Sequence, residues 1–256
     1  MIQLHALTRR FDELLAVDAL DLTIPSGAIT ALLGPNGAGK TTTLNMLTTL
    51  LPPTSGTAEV AGCDIVENPA GVRRAIGYVP EHGAVYEGLT ADEFLELAGR
   101  VRGLESAEIH RRATRLLEYF EVADARDRRL GAHSKGMRRK VLVTAALLHD
   151  PDVIFFDEPM DGLDVKSQKR LGELLRDLAA EGKTVVYSSH VLQQVEELCE
   201  HLVLIHEGRL LREGPLTDLR NEHGGAGLRD VFLAMTDGAE ERGSSWHELL
   251  TGEAPE

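Results

Sequence analysis

Two hydrophobic rhythms divide the chain. Residues 2–8 and 14–24 alternate loosely between apolar and polar, the period of a half-buried strand, and a polar turn at 9–13 separates them. The first run is expected to be an edge strand, and Pro25-Ser26-Gly27 ends the second. Residues 28–33 (AITALL) form a short unbroken apolar run, which predicts a strand buried on both faces. A glycine-rich stretch follows, then TTLNMLTTLL at 42–51, which predicts a helix. PPTSG at 52–56 breaks it. A strand at 57–61, a connector at 62–69, a helical piece at 72–75 and a strand at 76–79 come next, the last stopped by Pro80.

The rhythm changes between 90 and 150. Thr90 and Glu93 have capping-box spacing, and Phe94, Leu97, Ala98 and Val101 recur at helical intervals. A second helix is expected at 107–120, through Ile109, Ala113, Leu116, Leu117 and Phe120, and a third at 135–148. From Pro151 the alternation resumes, with strands at 153–156, 184–188, 202–206 and 210–212 and helices at 165–181 and 191–199. This pattern predicts an α/β fold: a mostly parallel central sheet covered on both faces, an antiparallel β edge, and an inserted helical subdomain. The expected division is a core of 1–89 and 151–220, the insertion at 90–150 and a tail at 221–256. Short helices suit 216–221 and 228–236, and 237–256 is polar, acidic and expected to fray.

Two stretches carry chemistry. Gly34, Pro35, Asn36, Gly37, Ala38, Gly39, Lys40, Thr41 and Thr42 spell GPNGAGKTT between a predicted strand and a predicted helix. That is the phosphate-loop pattern G-x-x-x-x-G-K-[ST] in the setting where it binds a nucleoside triphosphate. The glycines let bare N–H groups approach phosphate oxygens, and the helix dipole faces the same anion. Lys40 can reach the β- and γ-phosphates, and the Thr41 hydroxyl can hold Mg²⁺. Further on, VIFF ends in Asp157-Glu158-Pro159. Two carboxylates at the C-terminal end of a buried strand stand where open α/β sheets bind ligands. One suits the Mg²⁺ shell and the next suits polarising an attacking water.

Bulk properties narrow the partners. The 256 residues are 43% hydrophobic, enough for a large core, and the net charge is −14. An acidic surface repels nucleic acid, so no nucleic-acid partner is expected; Arg138, Arg139 and Lys140 are the nearest thing to a basic patch and read as the solvated face of a helix. Cys63 and Cys199 suit a reducing compartment and small core positions, with no disulfide framework. No run approaches the roughly eighteen apolar residues of a membrane span, and the start has no secretory pattern, so attachment to a membrane is expected only through a partner.

With these motifs in place, residues 2–220 resemble the ATP-binding subunit of an ABC transporter. The resemblance implies ATP and Mg²⁺ as ligands, a second ATPase subunit with two ATP molecules sandwiched between the two, and a transmembrane permease subunit. It also implies site roles. Phe11 takes the place of the aromatic that stacks on adenine, Asp157 that of the Mg²⁺-associated aspartate, and Glu158 that of the catalytic base. Met160-Asp161-Gly162-Leu163-Asp164 resembles the D-loop, with Asp164 communicating across the dimer, and His190 after Ser188-Ser189 takes the place of the switch histidine. Two departures are visible. The family signature LSGGQ is here His133-Ser134-Lys135-Gly136-Met137, which keeps Ser134 and Gly136 to meet the partner's γ-phosphate. Glu81 of IGYVPE stands where a Gln is usual and can still approach Mg²⁺. Both departures, with the helix at 228–236, resemble exporter ATPases for drugs, antibiotics or lipids. A soluble ABC-type ATPase acting on ribosomes or DNA, and a phosphate-loop kinase, are the competing readings.

Overall fold

The computed structural model describes residues 1–83, 85–222 and 227–236; the acidic stretch at 237–256 lies outside the described residues. The chain opens with β1 (Ile2–Phe11), β2 (Leu14–Ile24) and β3 (Ile29–Leu33), then α1 (Lys40–Leu47), β4 (Ser55–Val60), β5 (Cys63–Asp64), α2 (Pro69–Ala75) and β6 (Ile76–Val79). Three helices follow: α3 (Ala91–Val101), α4 (Ser106–Tyr119) and α5 (Lys135–Leu147). The alternation then returns with β7 (Val153–Asp157), α6 (Val165–Ala180), β8 (Thr184–Ser188), α7 (Leu192–Leu198), β9 (His201–His206) and β10 (Arg209–Pro215), and α8 (Leu216–Glu222) and α9 (Leu228–Thr236) close it.

The strands form two sheets, one antiparallel in the order β2-β1-β4-β5 and one in the order β10-β9-β3-β8-β7-β6. In the second, β9, β3, β8, β7 and β6 are parallel neighbours and only β10 runs against β9. Every residue of β3, β7 and β8 is buried, as expected of strands covered on both faces. The two-residue period of VIFF divides its side chains: Phe155 joins the core between the two sheets, while Ile154 and Phe156 join the core shared with the helices. Because the central strands are parallel, the segments that leave β3, β6, β7 and β8 emerge at one edge.

Several expectations are corrected. β1 is interior to its sheet, flanked by β2 and β4, and it continues through Arg9 and Arg10 to Phe11, so the turn shrinks to Asp12 and Glu13. Ladder pairing of Arg9, Arg10 and Phe11 with Val17, Leu15 and Leu14 overrides their polar local sequence. α1 ends at Leu47 because the Thr48 hydroxyl donates back to Leu44 O at 2.8 Å and Thr49 takes a left-handed φ of 61°. In α3 the capping box forms as expected, with Glu93 N donating to Thr90 Oγ1 at 3.2 Å and Thr90 N to Glu93 Oε2 at 2.8 Å. Its buried stripe, however, is Ala91, Leu95 and Gly99, while Leu97 and Val101 are 43% and 77% exposed. Small residues win that face because α4 packs close: a Cβ on Gly99 would stand 2.4 Å from Ile109. Arg139 is buried, not solvated, and Cys63 is half-buried while Cys199 is fully so. No described helix is long and apolar enough to cross a membrane.

Candidate functional site

The shared edge of the parallel strands carries the chemistry. The loop from Gly34 to Gly39 leaves β3 and turns directly into α1. Its entry admits only glycine: Gly34 has φ 156°, and a Cβ there would lie 2.1 Å from Ile205 O. Gly39 caps α1 with no side-chain hydrogen bond, which leaves the first-turn N–H groups of that helix to the loop's own concavity. The Lys40 ammonium curls over the loop and donates to Gly34 O at 2.7 Å and Pro35 O at 3.0 Å. Burial lowers its pKa, against the opposing pull of Glu158, Asp157 and Glu81.

These residues line a cavity of about 340 Å³ together with Phe11, Leu14, Ala16, Glu81, Asp157, Glu158, Ser188 and His190. Asn36, Gly37, Ala38, Thr41 and Thr42 of the loop complete it. Phe11 stands 39% exposed, and the Arg9 guanidinium lies 4.5 Å from its ring centroid. Asp157 ends β7 at 3% exposure; burial raises its pKa, and the neighbouring charges of Glu81 and Glu158 add to the effect. A buried carboxylate raised in this way gains from a cation placed against it. The donors that face this corner, the Thr41 hydroxyl and the Asp157 and Glu81 carboxylates, are all oxygens. That set fits Mg²⁺, which takes one or two carboxylates together with phosphate oxygens and water, and not a cage of protein ligands. Among the described residues there is no cluster of three His, Cys, Asp or Glu that would form such a cage.

Glu158 is held through its backbone and through both carboxylate oxygens. Its backbone has φ 48°, a costly conformation for a non-glycine residue, and its N–H donates to Ser188 O at 3.0 Å. One carboxylate oxygen accepts from both His190 N and His190 Nδ1 at 2.7 Å, and the other accepts from Ser189 Oγ at 3.2 Å. Since a carboxylate only accepts, Nδ1 carries a proton, and Nε2 is the nitrogen left for a ligand.

Ser134, Gly136 and Asp164 do not line this cavity. Ser134 caps α5 by accepting from Met137 N at 3.2 Å, and Asp164 caps α6 by accepting from Ser167 N at 2.9 Å and Ser167 Oγ at 2.8 Å. The hydrogen bonds from Ser167 hold the Asp164 carboxyl below its usual range. Lys135 pairs with Asp161 at 2.6 Å, and a Cβ on Gly136 would stand 2.7 Å from Gly162 O, so the two caps form one neighbourhood.

The sequence model of the ABC transporter family matches residues 17–161. The ABC transporter ATP-binding protein NatA of Bacillus subtilis is 40% identical, over 91% of this chain and 97% of its own. The chain belongs to the ABC transporter ATP-binding family. It is an ATP-binding, ATP-hydrolysing subunit of an ABC system. The daunorubicin/doxorubicin resistance ATP-binding protein DrrA of Streptomyces peucetius is likewise 40% identical, over 89% of this chain and 69% of its own. A solved ATP-binding subunit of an ABC transporter superposes with a TM-score of 0.87 at 32% identity, covering 92% of this chain and 99% of that one. A dimeric ATP-binding cassette in a post-hydrolysis state with ADP and Pi superposes at 0.77 with 27% identity, covering 84% and 99%.

For an ABC ATPase, the two departures have distinct settings. Glu81 enters the cavity beside Asp157, and its acceptor oxygens suit the same cation as a Gln carbonyl would. Lys135, where the family has Gly, is spent on Asp161 within its own chain. Ser188, Ser189 and Arg139 carry weight that sequence reasoning did not assign. Ser189 was legible only as a neighbour of His190, and Arg139 was hidden by two charged neighbours.

Proposed function

We infer that this chain is the motor subunit of an exporter, built as an ATPase domain at 1–220 with its core at 1–89 and 151–220, a helical subdomain at 90–150 and a short tail. Adenine stacks on Phe11. The loop from Gly34 to Thr42 cradles the phosphates, and Lys40 exchanges its two carbonyl acceptors for the β- and γ-oxygens, where a charge-assisted bond is the stronger one. Thr41, Asp157 and Glu81 hold Mg²⁺, which supplies charge neutralisation at the phosphates. Glu158 takes the proton of a water as that water attacks the γ-phosphorus in line. The bond from the γ-phosphorus to the bridging oxygen breaks, leaving ADP and phosphate. His190 keeps Glu158 aimed through its Nδ1–H and contacts the γ-phosphate region.

Ser134 and Gly136 lie outside the cavity because they serve the ATP of a second ATPase subunit, and Asp164 communicates across that interface. A permease subunit in the membrane receives the motion at the segment carrying Glu81 and at α3, and it holds this chain peripherally on the cytoplasmic face. Exporter direction is supported by relatives named for drug resistance and, in Cupriavidus metallidurans, for Nod factor export at 34% identity.

The observation that carries the reading is the convergence of Lys40, Asp157 and the Glu158–His190 pair on one cavity, which the Ser134 turn does not line. Glu158→Gln tests it. Hydrolysis should slow by roughly 10²–10⁴-fold, the usual contribution of a general base. ATP affinity should persist, and size-exclusion chromatography with Mg-ATP should show a trapped dimer. Turnover at the wild-type rate would overturn the assignment.

A further inference from the structure

Arg139 sits in the second turn of α5 and is 4% exposed. A guanidinium buried to that degree must find acceptors, and it finds two carbonyls: Nη1 donates to Pro80 O at 2.6 Å and Nη2 to Glu81 O at 2.8 Å. Both belong to the segment that leaves β6 and brings Glu81 into the cavity. The same segment meets α5 again at Gly83, where a Cβ would stand 2.5 Å from Leu142 Cδ1. So α5 grips this segment at two points on one face, at residues 139 and 142.

The first turn of the same helix carries Ser134 and Gly136. One rigid element therefore bears the serine turn at its N-terminus and, about one turn later, the clamp on Glu81. The clamp is also an electrostatic neighbour of the site. Burial lowers the Arg139 pKa, and the charges of Asp161, Asp157, Glu81 and Glu158 oppose that. The last three bear on Lys40 as well.

We propose that Arg139 is a positioning residue that couples the two halves of the composite ATP site, by tying the backbone at Pro80 and Glu81 to the helix whose first turn meets the nucleotide of the partner subunit. This rests on the assignment of Ser134 and Gly136 to the partner's ATP made above. Without the two hydrogen bonds, the Glu81 segment and the Ser134 turn move independently, and closure on one nucleotide no longer arranges Glu81 around the other.

The test uses the full chain with Arg139→Met, which keeps length and removes every donor, and Arg139→Lys, whose ammonium can reach one carbonyl at a time. Hydrolysis is followed against Mg-ATP concentration, and ATP binding by calorimetry. Loss of charge-assisted hydrogen bonds should lower kcat by about ten-fold or more in Arg139→Met, with nucleotide affinity changed by no more than about two-fold. Cooperativity in ATP should fall to a Hill coefficient of about 1, and Arg139→Lys should recover part of both. Adding Glu81→Ala, which removes the side-chain acceptors, to Arg139→Met should cost nothing further, because Glu81 is already released. Equal losses of affinity and kcat with cooperativity intact, or effects of Glu81→Ala and Arg139→Met that simply multiply, would overturn the proposal. Should Arg139→Met fail to fold, Arg139→Lys decides alone: wild-type kcat and cooperativity sink the coupling. A wild-type chain that binds no ATP would instead sink the underlying assignment of the site and the coupling with it.

Discussion

Ser189→Ala isolates the support of Glu158, the proposed general base. Ser189 is 1% exposed, and its hydroxyl accepts from Val191 N at 3.1 Å, which leaves a single proton to donate. Two acceptors compete for it, Glu158 Oε2 at 3.2 Å and Gln194 Oε1 at 3.3 Å. Gln194 Oε1 already receives the Tyr187 hydroxyl at 2.9 Å, and a carboxylate is the stronger acceptor, so the proton serves Glu158. A hydrogen bond to a charged group is worth about 1.5–3 kcal/mol, and the 3.2 Å separation places this one at the lower end, or about ten-fold in rate. Ser189 does not line the nucleotide cavity. The expectation is a kcat about ten-fold lower with KM for ATP within about two-fold, read by steady-state phosphate release. The decisive comparison is the double variant with Glu158→Gln, in which Ser189→Ala should cost almost nothing more because the group it orients is gone. A further ten-fold loss in that background, or a rise in KM with kcat unchanged, would show that Ser189 acts elsewhere.

Two other outcomes follow from the fold. Gly34→Ala forces a Cβ to within 2.1 Å of the Ile205 carbonyl, whereas Gly37, at φ 80°, has nothing within 4 Å of its Cβ position. Thermal unfolding should report a loss of about 2–4 kcal/mol for Gly34→Ala and about 1 kcal/mol for Gly37→Ala, and equal losses would refute the distinction between collision and backbone strain. His149 is a pH-sensitive group of the helical block. Its Nε2 donates to Ile76 O at 2.9 Å, its Nδ1 is buried without a partner, and burial with the nearby Arg102 lowers its pKa from 6.5 to about 4. Because the unfolded chain binds the proton first, the contribution is complete above pH 6.5 and drains away as pH falls toward 4. In urea titrations between those limits, His149→Asn should flatten the decline; an unchanged slope would exclude His149 as its source.

Much of this was legible because local and global signals agree. GPNGAGKTT has a loop conformation that few other sequences could adopt, and VIFF-Asp-Glu is a run that only a doubly covered strand can bury. The errors fall where tertiary contacts override local pattern. The polar Arg9-Arg10 stretch is strand because β2 completes its ladder, and Arg9 then lies over Phe11. In α3 the sequence offers Leu97 and Val101 as the apolar face, yet α4 approaches closely enough that Gly99 is the residue that fits. Arg139 illustrates the limit of charge patterning. Nothing in Arg-Arg-Lys says which of the three points inward, because the acceptors that receive it are backbone carbonyls some sixty positions earlier in the chain.

The separation of Ser134, Gly136 and Asp164 from the cavity bears on how a second subunit can be engaged. Ser134 accepts from Met137 N, which occupies a lone pair but not its proton, so its hydroxyl can cap its own helix and still donate to a phosphate oxygen. α5 thus presents a donor, the exposed first-turn amides and the positive end of its dipole in one direction. Lys135 does not block that approach. Its pair with Asp161 is exposed on both sides, and such pairs contribute about 0–1 kcal/mol, so the ammonium can leave Asp161 for a phosphate at little cost. Asp161 would then lose its nearest partner but keep the charge of Arg139 and the backbone N–H of Gly162. In the SKGM variant the Lys135 charge is therefore balanced within its own chain, by an exposed pair that costs little to open.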